Sequence, residues 1–229
     1  MGKLQGNGSF FVPGPPETPG KAKQFIVKFI LENVKGNSIL DLGGGKGAYS
    51  LELKNAGYDV VVADINAESL SIAEKHGLKT MLLTQEDSLG ENVADNVIMI
   101  EVLEHVPDPK EFMKSAIKAA KKRVIFTLPC TNDFKLLFDV GLSYHHIAVS
   151  DHLWHFSYDE LKFVLDSLGV KYNLSMGDYL FPGAIINLLR KCCTNKLVFK
   201  FLKWSLLIFN KLGLISKQVP SRFYGIIEK

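Results

Sequence analysis

Asp41 stands two residues ahead of Gly43, Gly44, Gly45 and Gly47, four glycines within five residues of the stretch ILDLGGGKGAYS. Such bare backbone permits positive φ and lets a ligand approach the main chain at van der Waals distance. Gly43, Gly45 and Ala48 satisfy the dinucleotide pattern G-x-G-x-x-A, and Gly43, Gly45 and Gly47 satisfy G-x-G-x-G. The glycines alone therefore leave two ligand classes open, one of them a nicotinamide or flavin dinucleotide. The acid separates them, because a carboxylate repels a pyrophosphate and attracts a cation. A second acid, Asp64, closes the run DVVVAD. At the carboxyl end of a strand it accepts hydrogen bonds from both hydroxyls of a ribose. Ile65 follows, placed to lie against an adenine face.

These residues need a frame, and the hydrophobic pattern supplies one. Short apolar runs (SILDL, DVVVAD, KTMLL, NVIMIE, RVIFTLP) alternate with helical stretches. The helices carry local signals: Asn66 as N-cap, Pro109 in a first turn, and Ser157 with Glu160 as a capping box. A further helix is expected over Lys21 to Asn33, and SRFYGIIEK reads as a last strand. Strands alternating with helices, several apolar throughout, predict a parallel sheet covered on both faces. In such a sheet, ligands sit beyond the carboxyl ends of the strands where strand order reverses.

Three blocks in order carry a resemblance. They are Asp41 with the glycine turn, DNVIMIEVLEHVPDP over Asp95–Pro109, and DHLWHFSYDELKFVLDSLG over Asp151–Gly169. Together they resemble the class I S-adenosylmethionine-dependent methyltransferases, in the branch of quinone-pathway and sugar methyltransferases. The resemblance covers about residues 37–178. It implies a Rossmann-like α/β fold with a seven-stranded, mostly parallel sheet, spanning 20–229 after a flexible arm at 1–19. It implies S-adenosylmethionine as cofactor, with Asp41, Gly43 and Gly45 at its amino-acid end and sulfonium, and Asp64 at the ribose. Ile65 and one acid of TQEDS would meet the adenine, and Asp87 is favoured over Glu86. Backbone near Glu101 would line the cofactor.

The acceptor is expected to be a small molecule with an apolar, quinone-, lipid- or glycan-like hydroxyl. A hydroxyl acceptor is helped by a general base. His152 matches the branch's histidine and is the candidate, with His155 assigned to packing. Glu101, Glu104 and His105 have E-x-x-E-H spacing, a run assigned to a divalent ion in quinone-pathway O-methyltransferases. Enzymes without metal share the same letters, and no metal is expected here. Histidines 145, 146, 152 and 155 have no cysteine nearby to build a zinc site. The [Asp/Asn/Ser]-Pro-Pro-aromatic run of nucleic-acid amino-methyltransferases is absent after the fourth strand, so no nucleic-acid partner is expected. A dinucleotide oxidoreductase and a non-catalytic adenosyl-binding or membrane-associated protein are the rival readings.

Charge is unevenly spread. The net charge is +3, yet no Asp or Glu occurs from Tyr179 to Ser221, and eight Lys and Arg lie between Tyr179 and Gly225. Residues 1–178 consequently carry −5. Three cysteines make no disulfide framework, which together with the lack of an N-terminal apolar run predicts a cytoplasmic protein. The segment 179–220 reads as a basic, amphipathic helical insert. Its helix is read as packing on the body as a lid or dimer surface, or as lying on an anionic membrane; the contact expected for residues 184–214 is with a second copy or, peripherally, with a membrane.

Overall fold

The computed structural model describes residues 17–84, 89–132, 151–178, 195–211 and 220–229. Outside these lie most of the expected arm, Glu86 and Asp87, His145 and His146, and both flanks of the helix in the 179–220 insert. The elements in chain order are α1 (Gln24–Asn33), β1 (Ser38–Leu42), α2 (Ala48–Asn55), β2 (Asp59–Asp64), α3 (Ala67–Lys75) and β3 (Lys79–Leu82). After these come β4 (Ala94–Ile100), a 3-10 turn (Leu103–His105), α4 (Pro109–Ala119) and β5 (Ala120–Pro129). The chain ends with α5 (Tyr158–Asp166), β6 (Lys171–Gly177), α6 (Lys196–Lys211) and β7 (Arg222–Glu228).

Seven strands form one sheet in the order β3-β2-β1-β4-β5-β7-β6. The pairs among β1 to β5 are parallel, and β7 runs antiparallel to both β5 and β6. Alternation along each strand sends side chains to two cores. Ile39, Val60, Ile98 and Ile125 pack with Ile26 and Ile30 of α1 and Leu53 of α2. Leu40, Leu42, Val97, Met99, Val124 and Phe126 pack with Met113 and Ala116 of α4 and Leu161 and Leu165 of α5. Val62 meets Leu70 and Ala73 of α3 on the first face. Burying each such side chain stabilises the fold by about 1.5–3 kcal/mol.

Helix ends follow the local chemistry of the sequence. Asn66 accepts from Ser69 N, Asp108 accepts from Lys110 N and Glu111 N ahead of Pro109, and Ser157 and Glu160 form the reciprocal capping box. α1 begins at Gln24, three residues later than its periodicity suggests, with no side-chain cap. At the amino edge of the sheet, Asp95 accepts from Asn37 N at 2.9 Å and Ser38 N at 3.3 Å and pairs with Lys122 at 3.0 Å. Those bonds hold its carboxyl well below the usual range. Strand order reverses between β1 and β4, so the carboxyl ends of β1, β2, β4 and β5 frame the crevice where this sheet type binds ligands.

Candidate active site at the carboxyl edge of the sheet

The turn after β1 is pinned to β2. Gly43 N donates to Ala63 O at 2.7 Å, and Gly45 N donates to Asp64 Oδ2 at 2.8 Å. The other Asp64 oxygen accepts from Asn66 N at 2.8 Å. The Asp64 carboxylate is thus held in place by two backbone donors and keeps lone pairs for a further hydroxyl. Ile65 beside it is 75% exposed, an apolar side chain with one face in water. Within the turn the glycines differ. A Cβ at Gly44 would sit 2.6 Å from the Asp41 carboxyl, so packing inside the protein demands that glycine. At Gly45 the nearest atom would be Asp64 Oδ2 at 3.9 Å, so that backbone is open, and its φ of +53° is what favours glycine.

Asp41 lies on the other side of the turn. It is buried and accepts from Ser50 Oγ at 2.6 Å. Burial pushes its carboxyl up to about 6, and the Ser50 bond only partly offsets this. Asp41, Gly43, Gly44, Lys46, Tyr49 and Ile100 line a cavity of about 370 Å³ together with Thr18–Lys21 and Lys23. The cavity wall therefore offers one carboxylate and three lysines, Lys21, Lys23 and Lys46. That is a set for a zwitterionic head group: the lysines suit a carboxylate and Asp41 suits an ammonium or sulfonium. Asp64, Gly45 and Ile65 continue the surface beyond β2 with ribose and ring chemistry.

Glu101 follows β4 with φ +57°, a left-handed backbone rare for a residue with a side chain. The E-x-x-E-H run is not one helical turn: the 3-10 turn starts at Leu103, and the Glu101 carboxylate is held instead by Arg222 and Thr127. Arg222, the first residue of β7, grips it in two-pronged fashion: Nε to Oε1 at 3.0 Å and Nη2 to Oε2 at 3.1 Å. Thr127 Oγ1 adds a bond at 3.0 Å. Arg222 Nη1 also reaches Asp178 Oδ2 at 2.5 Å, and its guanidinium lies 5.7 Å from the Phe25 ring centroid. Asp178 too has positive φ, at +53°. Burial alone would raise the Glu101 pKa, but the Arg222 bonds and charge outweigh it and hold the carboxyl low. Burial, then the Arg222 charge, lowers the Lys23 pKa.

Glu104 has the opposite surroundings. Its side chain is 1% exposed, and neither carboxyl oxygen has a hydrogen-bond partner. Burial first, and then the Glu101 charge, push its carboxyl up to about 8. Leu153 N and Trp154 N donate to its backbone oxygen at 2.7 and 3.2 Å, which ties the DHLWHF segment to the end of β4. This brings His152 to His105, with ring centroids 4.8 Å apart. One ligand atom each from Glu104, His105 and His152 lie within 4.8 Å of one another, a spacing a cation could bridge. His152 and Glu104 do not line the 370 Å³ cavity. His155 is 6.1 Å from His152 by ring centroids, and Trp154 stacks near Phe156 at 6.2 Å.

Sequence reasoning missed Arg222, Thr127, Lys23 and Tyr49. Arg222 carried a faint signal as a basic residue opening a strand whose interior is apolar.

A family model described as a methyltransferase domain matches residues 17–173, more than half of the chain. A ubiquinone biosynthesis O-methyltransferase of Hydrogenovibrio crunogenus is 37% identical over 106 residues, 43% of each chain. The chain spans about half the length, or less, of the curated relatives it matches. Among solved structures, a SAM-dependent methyltransferase of Archaeoglobus fulgidus superposes with TM-score 0.60 at 16% identity, covering 91% of this chain and 95% of that one. A magnesium protoporphyrin IX methyltransferase of Synechocystis, solved with bound SAM, gives 0.53 at 15% identity over 90% and 77%. The order of the sheet, the acid-flanked glycine turn and the family match converge on one statement: this chain belongs to the class I S-adenosylmethionine-dependent methyltransferases.

Proposed function

We propose that this protein transfers a methyl group from S-adenosylmethionine to a hydroxyl of a small acceptor, quinone-, lipid- or glycan-like. The observation that carries this reading is the pair of carboxylates flanking Gly45. Asp41 borders the cavity and Asp64 is fixed by two backbone donors, so a cationic and a ribose-bearing ligand both find their counterparts across one turn. A dinucleotide would bring a pyrophosphate towards Asp41, and the two charges would repel. The relatives named as ubiquinone biosynthesis O-methyltransferases support oxygen as the methylated atom and a quinone-like acceptor.

S-adenosylmethionine, when bound, supplies an activated methyl. The chain's own part is to position and to exclude water. Lys21, Lys23 and Lys46 hold the amino-acid carboxylate, Asp41 the ammonium, Asp64 the ribose hydroxyls, and Ile65 covers one ring face. Asp87 is assigned to the adenine on sequence grounds alone. Glu101 shapes the floor: its left-handed backbone, locked by Arg222 and Thr127, sets the path of the chain after Ile100, which lines the cavity. His152 takes the acceptor proton.

Calorimetry with S-adenosylhomocysteine tests the cofactor, and Asp64→Ala should weaken binding roughly 10- to 100-fold for the lost hydrogen bonds. Transfer of labelled methyl to catechol, lipid and glycan hydroxyls tests the reaction. There His152→Gln should lower kcat about a hundredfold with KM for the cofactor unchanged. Binding of NAD in place of S-adenosylhomocysteine would defeat the reading, and cofactor binding with no transfer to any hydroxyl would mark a non-catalytic adenosyl-binding protein.

A further inference from the structure

No helix among the described residues is long and apolar enough to cross a membrane, yet α6 leaves large apolar side chains in water. Leu197 is 77% exposed, Phe201 72%, Trp204 64% and Ile208 44%. At 100° per residue these four fall within about 60° of the helix circumference. Together with Lys200 and Ser205 they line a shallow groove of about 360 Å³. Phe199 and Leu202, on the opposite side, are partly buried. Among the described side chains, the helix therefore combines a partly buried pair with an exposed apolar stripe.

Charge identifies the occupant of the exposed stripe. On the same helical wheel the positions of Lys196, Lys200, Lys203 and Lys211 fall to one flank of the stripe, and no acid occurs from Tyr179 to Ile227 in the sequence. We propose that the Leu197–Phe201–Trp204–Ile208 face of α6 lies on an anionic lipid surface, with the helix parallel to the bilayer plane. A helix of this kind buries its apolar stripe at the boundary of head groups and acyl chains while its lysines meet lipid phosphates. Lysine stems reach up past the apolar layer, and the indole of Trp204 suits that boundary. The 16 residues of α6 extend about 24 Å, enough to lie along a surface. A second copy of the chain fits the pattern poorly. A two-fold contact would set one lysine row beside another with no acid in the segment to separate them.

The position of the insert gives the contact a use. The chain departs at Gly177 and Asp178 and returns at Arg222, and Arg222 bridges Asp178 to Glu101. The insert that carries α6 thus leaves and re-enters the sheet at the carboxyl edge of β5, the edge on which the candidate site lies. The lipid contact does not depend on the proposed methyl transfer and is read without cofactor.

Flotation of the full chain with mixed phosphatidylcholine–phosphatidylglycerol vesicles tests the proposal. The protein should rise with these vesicles, stay behind with pure phosphatidylcholine, and detach in high salt. Phe201→Ser/Trp204→Ser should abolish flotation with an unchanged melting temperature, since both side chains face water. Lys196→Gln and Lys200→Gln should each lower partitioning about fivefold. No flotation of the unaltered chain, or equal flotation of the double variant, overturns the proposal. So does a dimer seen by light scattering without lipid that Phe201→Ser/Trp204→Ser converts to monomer, because a second copy would then cover the stripe.

Discussion

Glu101 and Glu104 sit three residues apart after the same strand, and the protein treats them in opposite ways. Glu101 is partly exposed, takes up a strained left-handed backbone, and receives a two-pronged guanidinium and a hydroxyl. Glu104 is buried, has no hydrogen-bond partner on either oxygen, and keeps its proton up to about pH 8. One carboxylate is an ionised strut, the other a neutral acid beside two histidines. The difference teaches how burial with and without a cationic partner sets two like carboxyls apart. Arg222 knits β4, β5, β6 and β7 together at their site ends. Glu104, His105 and His152 offer one ligand atom each within 4.8 Å of one another.

The largest effect is expected from removing the strut's partner. Arg222→Met leaves Glu101 and Asp178 without their cation at a site where Arg222 is only 8% exposed. Losing one member of a buried ion pair costs about 3–5 kcal/mol. Urea unfolding at neutral pH measures it; a loss under 1 kcal/mol would show that the network is ornamental. Glu104→Gln should act in the opposite direction. A carboxyl whose folded pKa is raised contributes stability that is full below its unfolded value, near 4.5, and is lost as pH rises through about 8. The variant should therefore match the unaltered protein at pH 4 and exceed it at pH 9, by on the order of 3 kcal/mol. An identical pH profile for both proteins would mean that Glu104 is ionised in the folded state.

The contrast between the two glutamates was invisible in the run EVLEH, and the reason is physical. Local rules place Asn66, Pro109, Ser157 and Glu160, because a cap satisfies donors within three residues of itself. Asp41, Asp64 and the glycine turn were legible for a similar reason, since strand ends and turns announce themselves in composition. The partner of Glu101 lies 121 residues away on a strand that inserts antiparallel between β5 and β6. Alternation of strands and helices says nothing of that insertion. Burial of a lone carboxyl such as Glu104 is likewise decided by what folds over it, here the DHLWHF segment. Even a resemblance needs such sorting: Asp95, which opens the matching block, clamps Asn37 and Ser38 at the edge of the sheet away from the site. The spacing of Gly43 to Gly47 suggested bare backbone for a ligand, whereas Gly44 is required by Asp41 itself.

Smaller changes refine the comparison. Thr127→Val keeps the shape of a fully buried side chain and deletes one of the three bonds to Glu101. It should cost about 1–2 kcal/mol, well short of Arg222→Met. Asp41 stands between the two glutamates, buried like Glu104 but given one donor, Ser50. Its raised pKa means that its contribution is full below about 3.8 and is lost as pH rises through about 6. Ser50→Ala removes the only side chain that favours the ionised form, so the pKa should climb further. The variant should lose about 1 kcal/mol at pH 8 and nearly nothing at pH 4. Its affinity for S-adenosylhomocysteine should fall off at a higher pH than that of the unaltered chain as the solution is acidified. Titrating binding across pH 5 to 8 reads both effects, and coincident curves would remove Asp41 from the set of groups that sense the ligand's charge.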